Sequence, residues 1–288
     1  MTLEITPMGA ALGAVVSGLD LSQKLAAETV ERLRNAWLEH IVLVYHGQDL
    51  SDPQLLDFTR YFGELEYPPS KLLNYSQGSG QKDDILLEIN VISNVIDNGK
   101  KIGQLGNAEA KWHTDTPFVE RPPAASILHA WELPPRGGNT CFMNMYAVLE
   151  ALPAELLAKI DGKKCKHDVS HTSDGVLRHD YDDSPDAKSC PGPWHPMIRT
   201  HPDSGRKALY LGKRAWAYIE GTTTEENEEI LDAIWAIAER PEFVYEHVWT
   251  QGDVLMWDNR CAMHRRDEFD GSQRRIMHRS QLRGDIPV

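Results

Sequence analysis

Cysteine is scarce in this 288-residue chain: Cys141, Cys165, Cys190 and Cys261, with no Cys-x-x-Cys pair among them. Four scattered thiols in a chain this long exclude a disulfide-stapled scaffold and fit a reducing, cytoplasmic setting. Basic charge is short as well. Thirty Lys and Arg stand against 43 Asp and Glu, a formal net charge of −13. A body that acidic repels phosphate backbones and anionic lipid, which argues against nucleic acid and against a membrane surface as partners. No stretch approaches the ~20 apolar residues of a membrane span. The apolar run from Gly9 to Leu19 imitates a secretion signal, but Glu4 precedes it, Lys and Arg do not, and Asp20 follows. Neither internal repeats nor low-complexity segments divide the chain. With 41% hydrophobic and 25% charged residues it has the balance of a globular protein, and one domain over 1–288 is expected.

What the chain does contain is a succession of short apolar runs punctuated by turn residues. Leu3–Ile5 and Ala14–Val16 read as a starting hairpin. Val30, Leu33, Trp37 and Leu38 recur at helical spacing and predict a helix over 26–40, followed by a buried strand over 41–45. Ser51 with Pro53 starts a second helix, whose inner face is Leu55, Leu56, Thr59 and Phe62. The chain then turns loopy over 64–82 and 97–111, with a strand over 85–92 between. Strands at 125–131 and 140–145 bracket the Pro134–Gly138 turn, and the helical pattern over 147–160 is interrupted at Pro153. Residues 165–193, polar and rich in Asp, Ser and His, read as an excursion outside the core. A hairpin is expected from 197–199 and 208–211. Thr223 and Glu226 form a capping box ahead of a last helix, and strands at 243–249, 254–257 and 275–282 complete the pattern. Many short strands with a few outer helices predict a mainly β fold, a β-sandwich or jelly roll with peripheral helices.

His113-x-Asp115 is the first candidate for chemistry. At i and i+2 of a strand the two side chains share a face, and with one distant His they make the two-His-one-carboxylate set that holds Fe(II) and leaves positions open. The pair alone is weak evidence, since His201-Pro202-Asp203 repeats the pattern elsewhere. His264 lies beyond Trp257-Asp258-Asn259-Arg260, at a strand end or turn. Arg275 and Arg279 fall on one face of a predicted strand. An inward Arg is costly unless it meets an anion, and its fork suits a carboxylate; a solvated edge strand is the alternative. Thr140 adds a hydroxyl. The run Arg265-Arg266-Asp267-Glu268 reads as a solvated turn.

Taken together, Trp112-His113-Thr114-Asp115, Gly137-Gly138-Asn139-Thr140, Trp257-Asp258-Asn259-Arg260 and Arg274-Arg275-Ile276-Met277-His278-Arg279 resemble the taurine dioxygenase family. That family includes the phenoxyacetate-herbicide dioxygenases and uses Fe(II) and 2-oxoglutarate. Pro122-Pro123-Ala124, His195–Pro202 and Gly18–Ser22 are similar too, so the resemblance runs in order along nearly the whole chain. It implies a double-stranded β-helix, with His113, Asp115 and His264 as iron ligands. Thr140 and Arg275 would hold the distal carboxylate of 2-oxoglutarate, and Arg279 the anionic end of the substrate. The implied reaction hydroxylates a small organic anion, sulfonate or carboxylate, with O2 as co-substrate and succinate and CO2 as co-products. The product fragments where the hydroxylated carbon bears a heteroatom.

The chain also departs from its resemblance. Taurine-specific enzymes carry a His and a Tyr on the loop before the first ligand, whereas no His occurs here between His46 and His113. Tyr67 and Tyr75 are the substrate-side candidates in that region, within a lid over 64–111, and 163–195 is expected to flank the pocket mouth. A homodimer or homotetramer is expected. Two other classes fit part of the pattern: a silent jelly-roll anion binder, and a Zn(II) hydrolase on the same ligands. The latter has no use for Thr140 and Arg275. Cys165, His167, His171, His179 and Cys190 match no zinc-ligand spacing.

Overall fold

The computed structural model describes residues 2–68, 86–104 and 106–288. Along the chain run β1 (Glu4–Pro7), β2 (Ala14–Ser17), α1 (Ala27–His40), β3 (Val42–Tyr45), α2 (Asp52–Arg60), β4 (Leu65–Glu66), β5 (Asn90–Ser93), β6 (Ile96–Asp97), β7 (Lys100–Lys101), β8 (Ala110–His113), β9 (Ala125–Glu132) and β10 (Thr140–Asn144). Helices α3 (Met145–Glu150) and α4 (Ala154–Ile160) follow, then β11 (Lys164–His167), β12 (Trp194–Pro196), β13 (Ile198–Thr200), β14 (Lys207–Leu209) and β15 (Ala217–Ile219). The last elements are α5 (Thr224–Ala238), β16 (Val244–His247), β17 (Val254–Asp258), β18 (Ala262–Arg266) and β19 (Ile276–Leu282).

Two sheets make the jelly roll. The larger has the order β1-β2-β3-β17-β9-β19-β4, with β5 also on β19; the smaller runs β16-β10-β18-β8. Alternation along the central strands assigns their two faces. Leu255 and Trp257 of β17 and Val42 and Val44 of β3 join the core between the sheets. Val254, Met256, Leu43 and Tyr45 point the other way, onto Leu33 and Trp37 of α1 and Leu55, Leu56 and Phe58 of α2. Both faces are therefore apolar, and the strands read as continuous hydrophobic runs, not as alternating ones. Each such fully buried side chain stabilises the fold by about 1.5–3 kcal/mol. The predicted caps form: Ser51 and Gln54 close a box on α2, Thr223 and Glu226 one on α5. Pro153 separates α3 from α4, as expected of a residue that cannot continue a helical ladder.

Three expectations need correction. The strand predicted over 85–92 forms only from Asn90, because 86–89 turns back first through the Ile89 N–H to Leu86 carbonyl bond. The 97–111 loop contains the small hairpin β6–β7 and the start of β8. The 165–193 excursion begins inside the protein, since β11 is the centre of a three-stranded sheet with β12 and β15. Cys165, His167, Asp168, Ser170 and His171 are buried there. Asp168 accounts for the burial of polar groups: its carboxylate accepts from the Ser170 and His171 N–H groups and the Ser170 hydroxyl. Polar residues that satisfy one another carry no hydrophobic period, so pattern reading places them outside.

Candidate active site

The turn after β17 delivers β18 into the smaller sheet, where it pairs with β8 and sets His264 directly opposite His113. The ring centroids are 4.2 Å apart. His264 was expected at a strand end; it sits in mid-strand. Asp115 lies two residues beyond the end of β8, and its Oδ1 lies 3.8 Å from His264 Nε2. One ligand atom from each of the three residues falls within 4.8 Å of the others.

Each partner around the triad fixes an orientation. His113 Nδ1 donates to the Lys111 carbonyl at 2.6 Å, leaving Nε2 with its lone pair free. Asp115 Oδ2 accepts from the Ser126 hydroxyl at 2.6 Å and the Gln281 amide at 3.2 Å, while Oδ1 accepts from Arg279 Nη1 at 2.6 Å. Ser126 and Gln281 are register partners on β9 and β19. Burial, with the neighbouring His113, pushes His264 down to about 3, and burial lowers His113 too. Burial alone would raise Asp115, but Arg279 and the two imidazoles hold it at about 2. At neutral pH the centre is thus two neutral imidazoles and one carboxylate, the protonation state that a divalent cation needs.

A second group, His201, Asp258 and Cys261, has the same compactness. Its carboxylate is already taken: Asp258 accepts from His201 Nε2 at 3.0 Å and from Arg260 Nε and Nη2 at 2.9 and 2.7 Å. These contacts lock the turn between β17 and β18, which brings His264 into place.

Thr140 opens β10, and its Oγ1 accepts from Trp249 Nε1 at 2.9 Å, so the hydroxyl hydrogen remains available to donate. Arg275 immediately precedes β19 and is 2% exposed. Its Nη2 reaches only the Gly138 carbonyl, at 3.3 Å, and its Nε has no partner. Gly138 makes room for it, since a Cβ at that position would lie 3.1 Å from Arg275 Nε. Burial, then the charge of Arg266, pushes Arg275 down to about 9. Arg275 makes no ion pair among the described residues. A buried guanidinium without an acid is costly, and an anionic ligand removes the cost.

A cavity of about 90 Å³ adjoins the triad; His113, Asp115 and Arg279 share it with Ile92, Phe118 and Arg178. Tyr67 is not among its walls. It stands 47% exposed just beyond β4. Tyr75, with all of 69–85, lies outside the described residues. A larger cleft, about 1080 Å³, is lined by Trp112, Cys141 and Arg265 and contains no triad residue. Those side chains belong to the outer face of the smaller sheet, opposite Phe142 and His264. Trp257 packs in the core, 4.9 Å from the His264 ring, and Trp112 lies under Arg265. Sequence reading missed Ser126, Gln281, Trp249 and Arg266. Gln281 stands at i+2 from Arg279, a usable strand-face signal, whereas Ser126 is found only through the β9–β19 register.

Residues 4–281 match the family described as taurine catabolism dioxygenase TauD, TfdA family. Over its full length the chain is 33% identical to the alpha-ketoglutarate-dependent 2,4-dichlorophenoxyacetate dioxygenase of Cupriavidus pinatubonensis, all of which is covered. It is 35% identical to pentalenolactone F synthase of Streptomyces avermitilis, covering 97% of this chain and 94% of that one. The crystal structure of AAD-2 in complex with Mn(II) and N-oxalylglycine superposes with a TM-score of 0.80 at 32% identity, covering 100% of this chain and 99% of that one. A match this complete, on a jelly roll that opposes His113 and His264 across two strands, means that the chain belongs to the TauD, TfdA family and is an oxidoreductase of the 2-oxoglutarate-dependent dioxygenase class.

Proposed function

We propose that the chain holds Fe(II) on His113, Asp115 and His264 and hydroxylates a small organic anion, a carboxylate or a sulfonate. The observation that carries the reading is the pairing of a neutral-imidazole, ionised-carboxylate triad with a buried arginine that has no acid partner among the described residues. When bound, the metal supplies the redox chemistry that couples O2 to decarboxylation of 2-oxoglutarate and oxidation of the substrate C–H bond. The chain's own residues orient and shield. His113 and His264 offer lone pairs because burial keeps them neutral. Ser126 and Gln281 hold one oxygen of Asp115 and direct the other inward. Arg275 forks onto the distal carboxylate of 2-oxoglutarate, with the Thr140 hydroxyl donating beside it.

Arg279 lines the same cavity as the triad and holds the substrate's anionic group over the metal, while Ile92 and Phe118 pack its apolar part and keep water out. The site works inside an acidic shell because these cations lie where the anions bind; net charge governs solubility. A substrate hydroxylated beside an ether, amine or sulfonate carbon breaks apart afterwards. The reading includes a single catalytic domain, cytoplasmic, working as a homodimer or homotetramer. The test is succinate formation from 2-oxoglutarate under O2 with Fe(II)-loaded protein, across aryloxyalkanoates, sulfonates and alkyl sulfates. At least one small anion should stimulate it; succinate that never rises above a metal-free control contradicts the reading.

A further inference from the structure

Arg266 is the second charged residue that sequence reading left in solvent, and the structure buries it to 7% exposure. It closes β18 two residues beyond His264, and in the ladder with β10 it stands directly opposite Thr140. Cross-strand partners share a face, so Arg266, Thr140 and His264 all point between the sheets. Its Nη2 donates to the Ala108 carbonyl and its Nε has no partner. The guanidinium lies 5.4 Å from the centre of the Phe269 ring, and that of Arg275 lies 6.0 Å from the same centre. Two guanidiniums therefore lie against one aromatic ring, each with an orphaned Nε, and neither makes an ion pair among the described residues. Asp174 is the acid whose field reaches Arg266, but its carboxylate accepts from Thr172 and forms no ion pair with the arginine.

Guanidinium does not shed its proton. Two of them buried within reach of each other's charge repel, and each is short of an acceptor; one carboxylate in reach of both answers both. We infer that Arg266 is a second cation of the pocket formed by Arg275 and Thr140, so that two guanidiniums and one hydroxyl grip the distal carboxylate of a 2-oxo dicarboxylic acid. This rests on the 2-oxoglutarate reading above and adds a residue to it. The consequence is strong selection for the distal carboxylate: a 2-oxo acid without one, such as pyruvate, leaves both arginines uncompensated.

The test needs no turnover. Wild type and Arg266→Gln, loaded with Mn(II), are titrated calorimetrically with 2-oxoglutarate and with pyruvate, and their thermal midpoints are measured with and without 2-oxoglutarate. Arg266→Gln should weaken 2-oxoglutarate by roughly 10- to 100-fold, the worth of a charged hydrogen bond in affinity, and leave pyruvate unchanged. Its ligand-free midpoint should equal or exceed that of wild type, since an uncompensated buried charge is gone, while the 2-oxoglutarate-induced rise shrinks. Arg266→Lys, which keeps charge and loses the fork, should fall between the two. Unchanged 2-oxoglutarate affinity in Arg266→Gln overturns the inference. A lowered ligand-free midpoint with affinity retained marks Arg266 as purely structural and also overturns it. Wild type that takes Mn(II) but no 2-oxoglutarate removes the proposed function itself.

Discussion

Two buried clusters of the jelly roll are built on opposite terms. At the triad, the charge is already answered: Asp115 has Arg279, Ser126 and Gln281 around it, and both imidazoles are held neutral. At the second, Arg275 and Arg266 are buried with no ion-pair partner among the described residues. In the first arrangement the carboxylate is hydrogen-bonded before anything binds. The second is incomplete until an anion arrives. The fold thus spends stability at one cluster to gain selectivity at the other, and the contrast separates the residues that shape a ligand set from those that recognise a ligand.

The largest effect should come from breaking the prearranged cluster. Asp115→Ala removes the only carboxylate of the triad and leaves Arg279 beside two neutral imidazoles, so Mn(II) or Fe(II) binding by calorimetry and succinate formation should both fall to background. Next, the two strand arginines should separate cleanly. Arg275→Ala should weaken 2-oxoglutarate by roughly 100-fold or more, whereas Arg279→Ala should leave its affinity within a few-fold and uncouple succinate formation from substrate oxidation. The reverse pattern would exchange their roles. A smaller effect is expected behind the ligands: Ser126→Ala with Gln281→Leu should lower metal affinity by about 10- to 100-fold, with 2-oxoglutarate binding to the loaded protein nearly unchanged.

The smallest effect tests the difference between a buried cation that cannot neutralise and one that can. His167 is buried with neither ring nitrogen partnered among the described residues, and burial, helped by His195, holds it well below its ordinary value. It folds neutral. As the pH falls through about 6.5 the unfolded chain takes up a proton that the folded one refuses, so stability drops with acidification. In His167→Leu the thermal midpoint should fall less between pH 7.5 and 5.5 than in wild type; an identical slope would show that His167 already titrates normally.

Much of this was legible in the sequence, for reasons that can be named. The central strands β3, β9 and β17 are apolar on both faces and announce themselves, and the caps at Ser51 and Thr223 mark their helices. His113 and Asp115 became convincing only beside the Gly138–Thr140 and Arg275–Arg279 segments, since the pair recurs at His201. Strand β18 was not legible, because its sequence Ala-Met-His-Arg-Arg gives two of its inward positions to a histidine and a buried cation. Polar side chains are buried there, and hydrophobic periodicity is blind to them. Arg266 was lost for the same reason. Ser126 and Gln281 meet only through register, which no local pattern encodes. Tyr67 shows the converse, a suggestive residue at a promising position that the short β4 leaves in solvent.

The most direct measurement is optical. Anaerobic wild-type protein, loaded with Fe(II), is titrated with 2-oxoglutarate, and the visible charge-transfer band of chelation is followed. The account predicts a saturable band in wild type, none in His264→Ala, and a band in Arg275→Ala that appears only at far higher 2-oxoglutarate. A wild-type protein that holds Fe(II) and shows no such band at any 2-oxoglutarate concentration would contradict it.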